Sequence, residues 1–159
     1  MSGFRCGMAA VIGRPNVGKS TLINAIVGRK VSIVTAKPQT TRHRILAVHT
    51  SAESQVIFVD TPGLHRNAGK AMNRLMNRTA ANALADADVI LFVSDATRWT
   101  AEDDDVLRRL RKIRAPVVAV LNKIDRVRPR EKLLDTIALM SARGDFAEII
   151  PVSALEQDN

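Results

Sequence analysis

The chain has 159 residues, of which 46% are apolar, 25% charged and 3% aromatic, with one cysteine and a formal net charge of +8. That is the length of one domain, with enough apolar mass for a core built on Val, Ile, Leu and Ala. An internal disulfide is excluded, and no uncharged apolar run approaches the ~20 residues of a membrane span.

Near the N-terminus MAAVIG, residues 8–13, reads as a short buried strand ending in Gly. Cys6 stands just ahead of it in the same run and reads as a small core residue in a reducing compartment. The run starts so close to Met1 that no signal peptide is expected. Lys19–Val27 carries Leu22, Ile23, Ile26 and Val27 at helical spacing, with Gly28 as its stop. Residues 31–41 contain Pro38 and keep no period, as a loop does.

Residues 45–49 and 56–60 are two β-branched runs joined by Thr50, Ser51, Ala52 and Glu53, which predicts an antiparallel hairpin. Residues 70–85 are Ala- and Leu-rich and predict a helix. Residues 89–93 form a further strand. Residues 102–114 predict an amphipathic helix with acids in its first turn and bases in its last, complementing the helix dipole. Residues 117–121 predict a strand, 131–140 a helix with Gly144 beyond it, and 149–152 the last strand. Strands alternating with helices imply an α/β fold, a mainly parallel sheet covered on both faces.

Four short segments turn this scaffold into a site. Gly13, Arg14, Pro15, Asn16, Val17, Gly18, Lys19 and Ser20, followed by Thr21, give the spacing Gly-x4-Gly-Lys-Ser between a strand and a helix. Glycines let successive N–H groups face a β-phosphate, and the helix N-terminus adds positive potential. Lys19 would bridge the β- and γ-phosphates, and the Ser20 hydroxyl would ligate Mg²⁺. Asp60, Thr61, Pro62 and Gly63 close a second strand. Asp60 can reach the Mg²⁺ region through water, and the Gly63 N–H can approach the γ-phosphate. From residues 37–43 (KPQTTRH), Thr41 or else Thr40 completes the Mg²⁺ shell. Both loops would then be ordered by the γ-phosphate.

Asn122, Lys123, Ile124 and Asp125 end a further strand. The Asp125 carboxylate can accept from guanine N1–H and the 2-amino group, where adenine has no such donors. ATP should therefore be rejected by roughly a thousandfold. Lys123 can lie over the base, Asn122 can tie the loop to the phosphate side, and a backbone N–H at Ser153, Ala154 or Leu155 can meet guanine O6. The set specifies a guanine nucleotide, GTP or GDP, with Mg²⁺.

Catalysis is less well furnished. The residue after Gly63 is Leu64, where many GTP switches place a water-orienting glutamine. Hydrolysis is then slow and falls to Lys19, to backbone groups near Thr41 and Gly63, to metal ions and to a partner. Asn16 either helps hold a K⁺ beside the phosphates or only shapes the loop. Arg42, Arg44 and Arg66 are either internal arginines or surface charges. The eight bases ahead of Glu53, the first acid, equal the whole charge excess. They suit phosphate and RNA, or simply a solvated face.

GRPNVGKSTLIN, KPQTTRHRI, DTPGLH, NRLMN, TRWT and NKID together resemble the Era family of bacterial GTPases along the whole chain. The resemblance implies a P-loop NTPase three-layer sandwich with a six-stranded, mainly parallel sheet and one antiparallel edge strand. It implies an assembly factor for the small ribosomal subunit that binds its RNA. It also implies a cytoplasmic protein, peripherally associated with the inner membrane and expected to be a monomer. Era proteins carry a C-terminal KH domain that binds ribosomal RNA, and none is present. Residues 1–159 are therefore expected to be a G domain that stops before its last helix, with some apolar sheet surface left uncovered. Two rival readings stand beside this one: a nucleotide-binding interaction module without useful turnover, and an RNA-binding fragment.

Overall fold

A computed structural model describes residues 3–28, 45–61 and 70–159. Six strands form one sheet: β1 Arg5–Ile12, β2 Ile45–Thr50, β3 Ser54–Asp60, β4 Val89–Asp95, β5 Val117–Asn122 and β6 Glu148–Pro151. Their order is β2-β3-β1-β4-β5-β6, parallel throughout except for the edge strand β2, which runs antiparallel to β3. Among the described residues four α-helices lie between them: α1 Lys19–Val27, α2 Lys70–Ala85, α3 Ala101–Leu110 and α4 Lys132–Arg143. This is the predicted three-layer α/β sandwich. The chain leaves β1 for β3 on one side and reaches β4 on the other. The carboxyl end of β1 thus lies beside a topological switch point, where α/β sheets bind ligands.

The core has two halves, one on each face of the sheet. Ala9, Val11, Val17, Phe58 and Val93 pack with Ile23 of α1. Ile12, Ile90, Phe92 and Leu121 pack with Val106 and Leu110 of α3 and Met140 of α4. Phe92 is fully buried and lies edge-on to Trp99 and stacked on Phe146. Truncation of this ring, Phe92→Ala, should cost about 3–5 kcal/mol, read as a lowered midpoint in urea.

Four expectations need correction. Cys6 is exposed, not core, with its Sγ 3.9 Å from Gln55 Oε1. β1 starts three residues earlier than the apolar run because it pairs with β3 from Arg5↔Ser54 onward, and its first two residues lie beyond the cover of the helices. The third helix ends at Leu110 rather than near 114. Lys112 and Ile113 donate to Arg109 and Leu110, three residues back, and this tightened turn leads into Pro116, which disfavours helix before it. The fourth helix instead runs on to Arg143, whose guanidinium lies 4.1 Å from the centre of the Trp99 ring.

Among the described residues no helix is long and apolar enough to cross a membrane. Some apolar surface is open to solvent, including Val48 on β2 and Ile150 on β6.

Candidate functional site

The loop between β1 and α1 is shaped by its glycines for two different reasons. A Cβ on Gly13 would come within 2.4 Å of the Val93 carbonyl, so only glycine lets β1 turn this close to β4. Gly18 has φ 99°, and a Cβ there would meet Asn122 Nδ2 at 2.2 Å. Val17, fully buried, plugs the loop into the core. Lys19 opens α1 and turns back into the curl, donating to the carbonyls of Gly13 at 3.1 Å and Arg14 at 2.9 Å.

The Lys19 ammonium is almost fully buried, and desolvation lowers its pKa to about 8. The Asp60 carboxylate opposes this, Arg14 adds to the lowering and Asp103 opposes it again. Below pH 8 both folded and unfolded chains hold this proton. Between pH 8 and the ordinary value of 10.5 only the unfolded chain does. Unfolding then takes up a proton, so stability of the ligand-free domain should rise with pH across that window, by about 3 kcal/mol for this one group. Triphosphate affinity should fall over the same range as the ammonium is lost. Denaturant titrations at pH 7.5 and 10 check the first effect, and Lys19→Ala should flatten it.

Beside the lysine, the Ser20 hydroxyl donates to Asp60 Oδ2 at 2.8 Å, and Asp60 is fully buried at the end of β3. These are two hard oxygen donors converging at the mouth of the loop. Among the described residues no group of three His, Cys, Asp or Glu could hold an ion alone. A cation here would draw its remaining ligands from phosphate and water, as Mg²⁺ prefers. Thr61 follows, fully buried, and its hydroxyl donates to the Val11 carbonyl at 2.7 Å, clamping the end of β3 to β1. The roles expected of Thr40, Thr41, Gly63 and Leu64, and of Arg42, Arg44 and Arg66, fall outside the described residues.

The base-reading segment is brought to the same mouth. Asn122 Nδ2 donates to the Val17 carbonyl at 2.9 Å and its Oδ1 accepts from the Ala154 N–H at 3.0 Å, stitching three loops together. Lys123 has φ 67°, and its Nζ donates to the Asn16 carbonyl at 2.6 Å. The Ser153 hydroxyl donates to Asp125 Oδ1 at 2.7 Å and accepts from the Glu156 N–H, so the carboxylate is held in one orientation. A cavity of about 120 Å³ opens between Gly18, Thr21, Asn122, Lys123 and Asp125, with Leu155 at its rim. A larger cavity of about 570 Å³ lies between the ends of α3 and α4 around Arg111, Arg143 and Phe146. None of the four segments contributes to its lining.

Two residues of the site escape sequence reading. Asp95 Oδ2 accepts from Lys123 Nζ at 2.8 Å while its Oδ1 accepts from the Thr97 N–H and hydroxyl. Burial pushes the Asp95 carboxyl up, but the Lys123 and Thr97 hydrogen bonds outweigh it and hold it below the usual carboxylate range. Its place at the carboxyl end of β4, next to β1, was the available signal. Asp103 reads in the sequence as a dipole-complementing acid, yet it is fully buried against Arg14, with Nε to Oδ2 at 2.9 Å.

Residues 8–123 match the protein family described as 50S ribosome-binding GTPase. GTPase Era of Marinobacter nauticus is 51% identical over 155 residues, 98% of this chain and 51% of that protein. GTPase Era of Actinobacillus pleuropneumoniae serotype 5b is 52% identical over 97% of this chain and 51% of its own length. A crystal structure of Era in complex with MgGDPNP and nucleotides 1506-1542 of 16S ribosomal RNA superposes with a TM-score of 0.92 at 40% identity, covering 98% of this chain and 53% of that one. An Aquifex aeolicus Era variant bound to GDP and AlF4- gives a TM-score of 0.90 at 41% identity, covering 97% of this chain and 53% of that one. The chain thus spans about half the length of the curated relatives it matches. Since the family match runs from the phosphate loop through the Asp60 strand into the base-reading loop, the chain belongs to this GTPase family and, within it, to the Era GTPases.

Proposed function

We propose that residues 1–159 form one G domain that binds GTP and GDP and hydrolyses GTP slowly. The observation that carries this is the joint between grip and reader. Asn122 and Lys123 hold the Val17 and Asn16 carbonyls, while Ser153 aims the Asp125 carboxylate beside the Gly18 cavity. The phosphate loop and the guanine-reading carboxylate are thereby one piece.

The chain's own residues divide the work. Backbone N–H groups of the loop after Pro15, residues 16–18, with the α1 N-terminus, cradle the β-phosphate. The Lys19 ammonium is seated on the Gly13 and Arg14 carbonyls and keeps a third N–H for phosphate oxygens, where its charge neutralises charge spreading onto the transferred group. Ser20 and Asp60 would hold Mg²⁺, which would supply charge stabilisation for the phosphoryl group. Asp125 takes guanine N1–H and the 2-amino group. With the Ala154 N–H on Asn122 and the Ser153 N–H on Asp158, the Leu155 N–H is the donor we assign to guanine O6. The attacking water has no glutamine at Leu64, so its orientation is left to backbone groups near Thr41 and Gly63. Asn16, exposed at the loop tip, would help hold a K⁺ there.

On this reading the protein acts on the small ribosomal subunit and its RNA. The family description names the 50S particle, but the Era structure at 40% identity holds 16S RNA, and that bound RNA favours the small subunit. A single-turnover assay of [γ-³²P]GTP in K⁺ and in Na⁺ tests the enzyme. Release of phosphate, faster in K⁺, is expected. Bound GTP that stays intact in both salts would leave the second reading, a guanine-nucleotide module without turnover, which Leu64 favours.

A further inference from the structure

Among the described residues the phosphate loop is tied to other segments at three points. Two of them, Asn16 and Val17, hang from the base-reading segment. The third is Arg14, and it is fastened to something else. Its Nε donates to Asp103 Oδ2 on α3 at 2.9 Å, and its Nη2 donates to the Arg98 carbonyl in the loop before that helix at 3.1 Å. The guanidinium is thus gripped from two sides, with only 12% of the side chain exposed.

Asp103 has an evident local duty. Its Oδ2 accepts from the Thr100 N–H at 2.8 Å and from the Thr100 hydroxyl at 3.0 Å, the return half of a capping box. That duty does not require burial, because capping carboxylates work in water. Here the side chain is fully buried, and Oδ1 has no hydrogen-bond partner among the described residues. An interior carboxylate is strongly unfavourable unless paired. The cation that pairs it is Arg14, whose own carbonyl seats the Lys19 ammonium at 2.9 Å. A continuous line therefore runs from the start of α3, through Asp103 and Arg14, to the lysine of the phosphate site.

We infer that Asp103 is a positioning residue for the nucleotide site: through Arg14 it fixes the lysine end of the phosphate loop, independently of its duty as a helix cap. This rests on the reading of residues 13–20 as the phosphate site. Because Lys19 meets the terminal phosphates, loosening this end should weaken GTP more than GDP and leave the choice of base untouched.

The test uses the whole chain, a fluorescent GDP displaced by GTP, GDP or XTP, and thermal midpoints. Asp103→Asn keeps the shape and the capping acceptor but removes the charge. It should weaken GTP about tenfold, the scale of coupling within one ion-pair network, weaken GDP less, and leave the GTP-to-XTP ratio unchanged. Arg14→Gln with Asp103→Asn should be no worse for GTP than the worse single variant. Thr100→Ala, which weakens the cap and takes one hydrogen bond from Asp103 Oδ2 but leaves its charge and the Thr100 N–H bond in place, should lower the midpoint and leave GTP affinity within twofold.

The proposal is overturned if Asp103→Asn binds GTP within twofold of the parent, if the two losses simply add, or if Thr100→Ala reproduces the affinity loss. Should Asp103→Asn fail to fold, Arg14→Lys decides. It keeps the charge but cannot reach both acceptors, so weakened GTP binding supports the inference and unchanged binding overturns it. Lys19→Ala runs alongside: parent-like GTP affinity in that variant would instead sink the phosphate-site reading itself.

Discussion

Asp125→Asn should convert the domain from a guanine binder into a xanthine binder. The Ser153 hydroxyl donates to Asp125 Oδ1 and is itself fixed by the Glu156 N–H. An asparagine placed here keeps that bond through its carbonyl oxygen, so its amide nitrogen takes the place of Oδ2. Facing guanine, that nitrogen meets the 2-amino group donor against donor. Facing xanthine, it meets a carbonyl and can donate. A site built around a hydrogen bond rejects the wrong partner strongly because its own polar group is left unpaired. GTP affinity should fall by about a hundredfold or more while XTP affinity rises, read by competition against a fluorescent nucleotide. Unchanged GTP preference would mean that the base lies elsewhere. Ser153→Ala, which frees the amide to flip, should blunt the switch.

Lys19→Ala should remove triphosphate binding without unfolding the protein. Truncating one member of a desolvated charge pair costs about 2–5 kcal/mol, or roughly thirtyfold to several thousandfold in affinity. The ligand-free fold has less to lose. The ammonium is buried, its pKa is depressed to about 8, and it rests on two carbonyls rather than on a carboxylate. Its removal relieves a desolvation penalty. At a GTP concentration of about 100 times Kd the parent should gain about 2.7 kcal/mol of stability, and the variant almost none. The thermal midpoint without nucleotide should hold or rise slightly. A large fall in that midpoint would mean that Lys19 supports the fold rather than the ligand.

The parts legible in the sequence are those where backbone geometry leaves few residue choices. Gly13 and Gly18 are dictated by a carbonyl and an amide that would collide with any Cβ, and a constraint that local shows up as a fixed spacing. α1 and α2 were legible to the residue, since helical periodicity and the Gly28 stop are also local. Cys6 was not, because periodicity reports that a strand is apolar but not how far the covering helices extend along it. Asp103 and Asp95 were hidden for a further reason. Their partners stand 89 and 28 residues away in sequence, and an ion pair closed by the fold leaves no local pattern. TRWT, which in sequence serves only as a family mark, turns out to have four separate jobs. Thr97 orients Asp95, the Arg98 carbonyl grips Arg14, Trp99 packs against Phe92 and beneath Arg143, and Thr100 caps α3.

The suspension of the phosphate loop from Lys123 and Asn122 has a kinetic consequence. Phosphates and base cannot be let go one after the other, since opening either end pulls on the carbonyls that shape the other. Nucleotide should leave in a single exponential step, with no half-released intermediate. A partner that draws Lys123 away from Asn16 would then accelerate exchange of a ligand whose phosphates it never touches.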